Sequence, residues 1–243
     1  MKIIKLNAID STNSFLKDLA KNTALENYTV VVTDNQTNGR GQQESAWQSK
    51  PFKSLTFSVF IGFKNLEIQQ KKYLNFAISL AIFDVLSDEN LSKLTIKWPN
   101  DILSANKKIC GILIENTFIG NKIKNSVVGI GLNVNEIDFS NTLKKVTSLK
   151  KETHKDYNLD ELLLKIVTKI EEKITLLNSE KFNKLEETYL KHLFKKNTTT
   201  MFKNSNGNLF MGIIVGISNN GKLQVQVEND VIKEFGIKEI SFV

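Results

Sequence analysis

The N-terminal third of the chain alternates short apolar runs with polar segments, which predicts strands and a helix in succession. Residues 2–6 alternate as a short strand, and the β-branched run over residues 28–33 predicts a buried strand. Between these two strands, Ser11 or Thr12 stands where the N-cap of a helix belongs. The apolar residues at helical spacing in that helix are Phe15, Leu16, Leu19 and Ala20.

The middle of the chain predicts a sheet covered by helices. A polar segment over residues 34–51 indicates a loop, and residues 55–63 return to a strand pattern. Residues 73–86 form an apolar stretch of helical length. Three further strands are predicted at residues 94–97, 109–115 and 126–134. Two amphipathic helices follow, one with its apolar face over residues 159–177 and one over residues 182–194.

The composition changes at Lys195, after which short apolar runs alternate with turn signals. The turn signals are Asn206-Gly207, Asn219-Asn-Gly221 and Asn229-Asp230. This spacing predicts a small SH3-like β-barrel over residues 196–243. The predicted fold is therefore mixed α/β (α+β), with a mixed β-sheet domain flanked by helices over residues 1–195 and the barrel as a second domain.

Composition places the chain among ordinary globular proteins, with 243 residues of which 41% are hydrophobic and 24% charged. No signal peptide and no apolar stretch of membrane-spanning length is found, so we expect a cytoplasmic protein without membrane contact. Cys110 is the single cysteine, and His154 and His192 lie far from it. A disulfide is excluded and a zinc site is disfavoured. We expect any metal to be a hard ion held by oxygen, together with a nucleotide.

The net charge of +7 raises the alternative of a non-enzymatic basic protein that binds nucleic acid. The lysines, however, are spread over the chain and often alternate with acidic residues, as over residues 165–184, which is typical of a solvated helix face. No helix-turn-helix fits before residue 10, so DNA binding is not expected. The charge fits an anionic substrate or an acidic partner protein at least as well.

Arg40 is the only arginine among 33 basic residues, and it lies between Gly39 and Gly41. A guanidinium meets a carboxylate or phosphate with two parallel hydrogen bonds, whereas lysine offers a point charge. The polar loop around Arg40 can order over an anion. It is not a Walker loop, because no Gly-Lys-Ser/Thr follows. A chance arginine in an idle surface loop is the alternative, but long loops without regular structure are more often functional.

Two further segments have the composition of a ligand site. Ser11 and Thr12 can either cap their helix or face a ligand, and the residues alone do not decide between these roles. In Lys97-Trp-Pro-Asn-Asp101, an Asn beside an Asp can hold hydrated magnesium, although both are also ordinary turn formers. Lys108 opens the next strand, and Gly111 permits a flat ligand to lie against it.

Gly129-Ile-Gly131 is not a dinucleotide-binding fingerprint, because its third glycine is missing and it lies inside a predicted strand. No serine, cysteine or histidine triad is apparent either. The predicted site therefore positions and neutralises anions without a nucleophile of its own.

Together these motifs identify a family resemblance. The matching segments are Asp10-Ser-Thr-Asn13, Gly39-Arg-Gly41 with Trp47, Lys97-Trp-Pro-Asn-Asp101, Lys108 with Gly111-Ile-Leu-Ile-Glu115, and Gly129-Ile-Gly-Leu-Asn133. In this order they resemble biotin protein ligases, in the wider family that includes lipoate ligases. The resemblance covers residues 1 to about 135 and extends to the C-terminal barrel. It implies a biotin- and ATP-binding catalytic domain over residues 1–195.

The resemblance implies a two-step, AMP-forming ligase. Biotin carboxylate attacks the α-phosphate of Mg-ATP to give biotinyl-5'-AMP, which then modifies a lysine of a biotin carboxyl carrier protein. The implied biotin-binding residues are Ser11, Thr12, Gln36, Gly39, Arg40, Trp47, Lys108 and Gly111. The implied nucleotide-binding residues are Arg40, Gly41, Trp47, Lys97, Asn100, Asp101 and Asn133. The implied catalytic residues are Arg40, Lys97 and Lys108, with Asp101 as the magnesium ligand and no tightly bound prosthetic group.

The loop departs from the family pattern, because Gln42, Gln43 and Glu44 stand where many members carry a second arginine and a third glycine. We expect weaker retention of the adenylate as a result. A lipoate or octanoate ligase is the nearest alternative. An acyl chain, however, would prefer an apolar slot, whereas Ser11, Thr12 and Gln36 are polar partners that suit the ureido ring of biotin. The absence of an N-terminal DNA-binding segment implies a ligase without repressor function, and a homodimer is possible.

Overall fold

The computed structural model describes residues 1–140 and 145–243, which form three β-sheets of seven, five and two strands and five α-helices. Along the N-terminal part, the elements are β1 (Ile3–Ile9), α1 (Thr12–Asn22), β2 (Val30–Gln36), β3 (Gly39–Arg40), β4 (Ala46–Trp47), β5 (Ser54–Glu67) and α2 (Lys71–Ser87). The next elements are β6 (Thr95–Lys97), β7 (Asp101–Ser104), β8 (Lys107–Ile119), β9 (Lys122–Asn133), α3 (Leu149–Thr153), α4 (Leu159–Asn178) and α5 (Phe182–Lys191). The C-terminal strands are β10 (Thr199–Asn204), β11 (Leu209–Ile217), β12 (Leu223–Gln226), β13 (Ile232–Phe235) and β14 (Ile240–Phe242).

A seven-stranded mixed sheet forms the centre of the molecule, in the order β1-β2-β5-β9-β8-β7-β6. Only β1 and β2 pair in parallel; the other neighbours are antiparallel. The parallel pair needs a crossover, which α1 supplies. The mixed α/β fold with a helix-flanked sheet is thus confirmed.

The two faces of the sheet are buried by different helices. Helices α2, α4 and α5 cover one face, and the apolar stripe of α4 packs there with Phe57, Val128 and Ile130. Helix α1 covers the other face, where Leu16 packs with residues of β2, β5 and β9. Because side chains alternate along a strand, neighbouring residues of β9 reach opposite cores.

Several elements are longer or more numerous than the periodicity predicts. Strands β8 and β9 run on to a hairpin turn at Gly120, where the sequence is polar and no longer alternates. The predicted polar loop contains the two-residue strands β3 and β4, which pair with each other. Strand β7 was not predicted, since its four residues lie between two turns. Helix α3 was also missed; it is only five residues long and is capped by Ser148.

The C-terminal residues form an antiparallel sheet in the order β13-β12-β11-β10-β14. Aromatic rings fill its inner side, with Phe202 stacked on Phe210 and Phe210 stacked on Phe235. In the described residues β13 and β14 are edge strands that do not pair, so this is an open five-stranded sheet in its hydrogen bonding.

The C-terminal sheet is joined to the central sheet by specific contacts. The Trp98 indole Nε1 donates to the Gly221 carbonyl at 3.1 Å. The Lys97 ammonium lies 5.1 Å from the ring centroid of Phe242 on β14. Separately, the Phe194 amide, in the segment between α5 and β10, donates to the Ile96 carbonyl at 2.8 Å and so covers the edge strand β6. None of the helices in the described ranges combines the length and apolar character that crossing a membrane requires.

The Tyr189 hydroxyl offers a test of this packing. Tyr189 is fully buried and stacks on Phe76 with ring centroids 4.1 Å apart, yet its hydroxyl has no hydrogen-bond partner among the described residues. We expect Tyr189→Phe to raise the free energy of unfolding by about 1 kcal/mol, because it removes a buried polar group without opening a cavity.

Tyr157→Phe is the matched control for urea unfolding. The Tyr157 hydroxyl lies 2.9 Å from a Glu89 carboxylate oxygen and 3.0 Å from the Thr153 hydroxyl, so its loss should destabilise the protein by about 1 kcal/mol. Equal losses of stability in both variants would show that the Tyr189 hydroxyl is bonded in solution.

Candidate functional site

A cleft of about 240 Å³ opens on the α1 side of the central sheet, between the sheet and the β3–β4 loop. The N-terminus of α1 forms one end, and the turn between β6 and β7 forms the other. The polar and charged residues that line it are Ser11, Thr12, Asn13, Gln36, Arg40, Gln42, Ser45, Thr56, Asn100, Asp101, Lys108 and Lys238. Most of the residues predicted to bind a ligand are therefore together in one cavity.

Gly129 and Gly131 on β9 make the floor of the cleft. A Cβ at Gly129 would overlap the amide of Asn13, and a Cβ at Gly131 would overlap the indole of Trp47. Ile130 between them points to the opposite face and into the main core. The Gly129-Ile-Gly131 segment is thus a bare strand on which Asn13 and Trp47 lie, which gives these glycines a physical reason without a dinucleotide.

Hydroxyl and amide groups form a network at the α1 end. Ser11 caps α1, with its Oγ accepting from the Ser14 amide at 3.4 Å. The Thr12 amide donates to Gln36 Oε1 at 3.0 Å, and the Ser58 hydroxyl donates to Thr12 Oγ1 at 2.8 Å. This end of the cleft is polar, and its groups are fixed by strand and helix backbone.

Arg40 lies at the rim of the cleft on β3, where its guanidinium pairs with a carboxylate. The Nη2 atom is 2.8 Å from Glu115 Oε2, and the side chain is 42% exposed. Gly39 beside it is buried and pairs with Trp47 across β3 and β4. A side chain at this position would overlap the Trp47 carbonyl, so only glycine fits. The pairing of β3 with β4 therefore fixes the backbone from which the Arg40 side chain extends.

Glu115 connects Arg40 to helix α1. Its carboxylate accepts from Lys17 Nζ at 2.7 Å and from Asn13 Nδ2 at 2.9 Å. Burial alone opposes ionisation of Glu115, but these hydrogen bonds and the Arg40 charge together lower the pKa of the carboxyl below its ordinary value. Glu115 is therefore ionised at neutral pH and holds Arg40 by charge.

The other end of the cleft is built on the turn before β7. The Asn100 amide donates to the Ile112 carbonyl at 2.7 Å, and the Ile112 amide donates to the Asn100 carbonyl at 2.9 Å. Asp101 Oδ1 pairs with Lys108 Nζ at 2.7 Å. The Lys108 ammonium also lies 5.6 Å from the centroid of the Trp47 ring, within cation–π range.

Three of the predicted residues do not line this cleft: Gly39, which is buried in the β3–β4 pair, and Lys97 and Asn133. Lys97 Nζ lies 5.1 Å from the ring centroid of Phe242 in the C-terminal sheet, and burial lowers its pKa. Asn133 is buried, and its amide donates to the Thr147 carbonyl at 3.0 Å. The assignment of Lys97 and Asn133 to a nucleotide stays a prediction.

Three buried polar atoms along the cleft have neither a hydrogen-bond partner nor an ion-pair partner in the described part of the chain. They are Trp47 Nε1, Thr56 Oγ1 and Gln42 Oε1. Buried polar groups in native proteins are nearly always paired, so their concentration at one cavity indicates a polar ligand.

Sequence reasoning missed some residues that the structure brings to this site. Asn13 and Glu115 stood inside quoted motifs, but nothing in the sequence indicated that they contact each other. Ser58 was visible as a polar residue in an otherwise apolar strand, which is a usable signal. Lys238 comes from the C-terminal sheet and gave no signal.

The cleft can bind anions but offers no strong nucleophile. Cys110 is fully buried, and burial raises the pKa of its thiol far above neutral pH, so it is unreactive. Within residues 1–140 and 145–243, no group of three or more His, Cys, Asp or Glu side chains could hold a metal ion. Arg40 and Lys108 supply fixed positive charge, which can position bound anions and offset charge that develops on them.

The solved structures include proteins of the same architecture. The biotin protein ligase from Aquifex aeolicus in complex with biotin and ATP superposes with a TM-score of 0.81 and 27% identity, covering 100% of this chain and 98% of that one. Among curated proteins, the bifunctional ligase/repressor BirA of Bacillus subtilis is 27% identical over 234 residues, which are 95% of this chain and 71% of the relative. A biotin–[acetyl-CoA-carboxylase] ligase of Mycobacterium tuberculosis is 30% identical over 52% of this chain and 47% of its own length.

The sequence model of the biotin/lipoate A/B protein ligase family matches residues 6–133, which is more than half of the chain. The matched span contains the cleft floor, the Arg40 loop and the turn before β7. The chain belongs to the biotin/lipoate A/B protein ligase family.

Proposed function

We propose that this protein is an ATP-dependent biotin protein ligase. It activates biotin as biotinyl-5'-AMP, releases pyrophosphate, and transfers the biotinyl group to a lysine of a biotin carboxyl carrier protein. The observation that carries the proposal is the cleft itself. Its polar α1 end, the Trp47 indole and the cations Arg40 and Lys108 all surround the glycine segment of β9. The chain that forms this cleft is a member of the ligase family.

Relatives support the choice of substrates. The Aquifex aeolicus protein that superposes on 100% of this chain binds biotin and ATP. The relative from Mycobacterium tuberculosis is a biotin–[acetyl-CoA-carboxylase] ligase. We infer the same substrates for this chain, with a carrier domain of a biotin-dependent carboxylase as its partner.

The polar end suits the ureido ring of biotin, which needs both donors and acceptors. Ser11, Thr12 and Gln36 supply hydroxyl and amide groups there, with Gly111 leaving backbone accessible. The Trp47 indole covers the floor at Gly131, and we assign its Nε1, which has no partner among the described residues, as a donor to the ligand.

Arg40 and Lys108 assist adenylation by offsetting charge. In the first step a carboxylate oxygen bonds to the α-phosphorus, and the bond from that phosphorus to the bridging oxygen breaks as pyrophosphate leaves. Arg40 and Lys108 are each held by a carboxylate, 2.8 Å and 2.7 Å away, and exchange those partners for the anions of the substrates. In the second step the acceptor amine attacks the acyl carbon and AMP leaves.

The nucleotide half of the site is proposed to include Gly41, Lys97, Asn100, Asp101 and Asn133. Magnesium enters as the Mg-ATP substrate, with the Asp101 carboxylate as its protein ligand. A single carboxylate fits an ion that keeps water and phosphate oxygens as most of its ligands. Gly39 fixes the loop beside Arg40.

We retain the domain division at residue 195 and the SH3-like closure of the C-terminal sheet as proposals. Phe242 on β14 packs on Phe202, Phe202 on Phe210, and Phe210 on Phe235 of β13, so both edge strands contribute rings to one aromatic cluster, which supports closure. A homodimer and a cytoplasmic location also stay predictions.

Pyrophosphate exchange into ATP, assayed with biotin, with lipoate and with neither, tests the function directly. We expect exchange that requires biotin. Labelled pyrophosphate enters ATP only when the adenylate forms and reverts, and the adenylate forms only from the carboxylate substrate. Exchange that requires lipoate would assign the other activity of the family. Salt-sensitive DNA binding without exchange would assign the nucleic-acid alternative.

Arg40→Lys keeps the charge but removes the planar fork. We expect the biotin-dependent exchange rate to fall by about 10- to 100-fold, equivalent to roughly 1.4–2.8 kcal/mol, while the thermal unfolding temperature stays unchanged. Lys21→Arg, the opposite exchange at an exposed site on α1, is the control and should have no effect. An unaltered rate in Arg40→Lys would mean that any cation suffices at this position.

Glu115→Gln keeps the shape of the side chain and its contact with Asn13 but removes the charge that holds Arg40. We expect kcat/KM for biotin to fall by about 3- to 10-fold, as positioning by one charged contact predicts. Because the pKa of Glu115 is lowered from its ordinary 4.5, the carboxylate is ionised throughout pH 6–8. The ratio of wild-type to variant rates should therefore be constant over that range; a ratio that approaches one near pH 6 would contradict the assignment.

A further inference from the structure

Lys238 reaches the cleft from the C-terminal sheet. Its Nζ donates to the Gln43 carbonyl in the β3–β4 loop at 2.6 Å, although the two residues are 195 positions apart in the chain. Lys238 and the preceding Ile237 both line the cleft. The loop that carries Arg40 is thus joined to the C-terminal sheet by a cation.

The turn between β13 and β14 fixes the position of Lys238. Glu239 accepts from the Gly236 amide at 2.6 Å, and its own amide donates to the Gly236 carbonyl at 3.2 Å. The Ser205 amide donates to the Glu239 carbonyl at 3.1 Å. Lys238 itself has a left-handed φ of 65° in this turn. Such a conformation persists where surrounding contacts determine it, so the lysine is presented by an ordered turn.

The charges along the cleft distinguish Lys238 from the other two lining cations. Arg40 pairs with Glu115, and Lys108 pairs with Asp101. The contact that the structure gives for Lys238 is an uncharged carbonyl. A lysine ammonium has three donors, so Lys238 can keep the Gln43 contact and still donate to an anion.

We propose that Lys238 binds the phosphates of the nucleotide, so that the C-terminal sheet completes the active site. The inference rests on the proposed ligase function. A second cavity of about 330 Å³ lies next to the cleft and shares Gln42, Pro99 and Ile237 with its lining. Lys71 and Lys222 line that cavity, so the region beside Lys238 is positively charged, as a polyphosphate requires.

The position of Lys238 favours phosphate over the biotin carboxylate. The polar groups proposed to hold the biotin ring, Thr12 and Gln36, lie at the α1 end of the cleft. Lys238 contacts the loop at Gln43, three residues after Arg40 in the chain, and the adjacent Ile237 lines both the cleft and the second cavity. A cation there acts on the charge that extends from the α-phosphate, and leaves biotin binding unchanged.

The test compares Lys238→Ala and Lys238→Arg with the wild-type protein in biotin-dependent pyrophosphate exchange. We expect Lys238→Ala to raise the KM for ATP about 5- to 10-fold, in line with loss of one charged contact, with the KM for biotin unchanged. Lys238→Arg should restore most of the affinity for ATP. The effect should shrink as salt is raised from low to physiological concentration, because the contact is exposed and screened.

Lys233→Ala is the matched control, since Lys233 is an exposed lysine on β13 that does not line the cleft. An unchanged KM for ATP in Lys238→Ala would overturn the proposal. Equal increases in both KM values, or a loss of kcat alone, would also overturn it, because they would assign Lys238 to closing the loop. Absence of exchange in the wild-type protein would instead refute the ligase function, which separates the two failures.

Discussion

The close approach of two elements to a bare stretch of β9 is the constraint on which the rest of the site depends. Gly129 admits the amide of Asn13 at the start of α1, and Gly131 admits the indole of Trp47. If either position carried a side chain, the helix or the loop would be displaced from the sheet. The cleft lies between these two contacts, so its depth and floor are set by the glycines while Ile130 anchors the same strand in the core.

Two of the three cations that line the cleft are neutralised by a neighbouring carboxylate. Arg40 and Lys108 are each paired with a carboxylate on the central sheet, whereas Lys238 is bonded to a carbonyl. Carboxylate partners keep long side chains near their working positions before substrate arrives, which lowers the ordering cost on binding. An incoming anion then replaces one oxygen partner with another and needs little rearrangement.

Most of the fold and part of the site could be predicted from sequence. Periodicity identifies elements that bury one face, and it located α1, α2, α4 and the long strands; it has no signal for β7, whose four residues lie between turns. Motif spacing placed Ser11, Arg40, Trp47 and Lys108 in one predicted site, and in the structure all four line one cavity. It could not reveal that Asn133 is engaged by Thr147 or that Lys238 meets Gln43, because those contacts join residues whose local patterns are independent.

The turn before β7 has neighbours on two sides. The Trp98 indole is bonded to Gly221 in the C-terminal sheet, while the Asn100 amide, two residues later, is bonded to Ile112 in the central sheet. A small rotation of the C-terminal sheet would therefore be transmitted through Trp98 to the corner that holds Asn100 and Asp101. The opposite end, built from α1 and β2, has no such link through this turn. The two ends of the cleft thus differ in how they are attached: the α1 end is bonded to the central sheet, and the turn before β7 is bonded to both sheets.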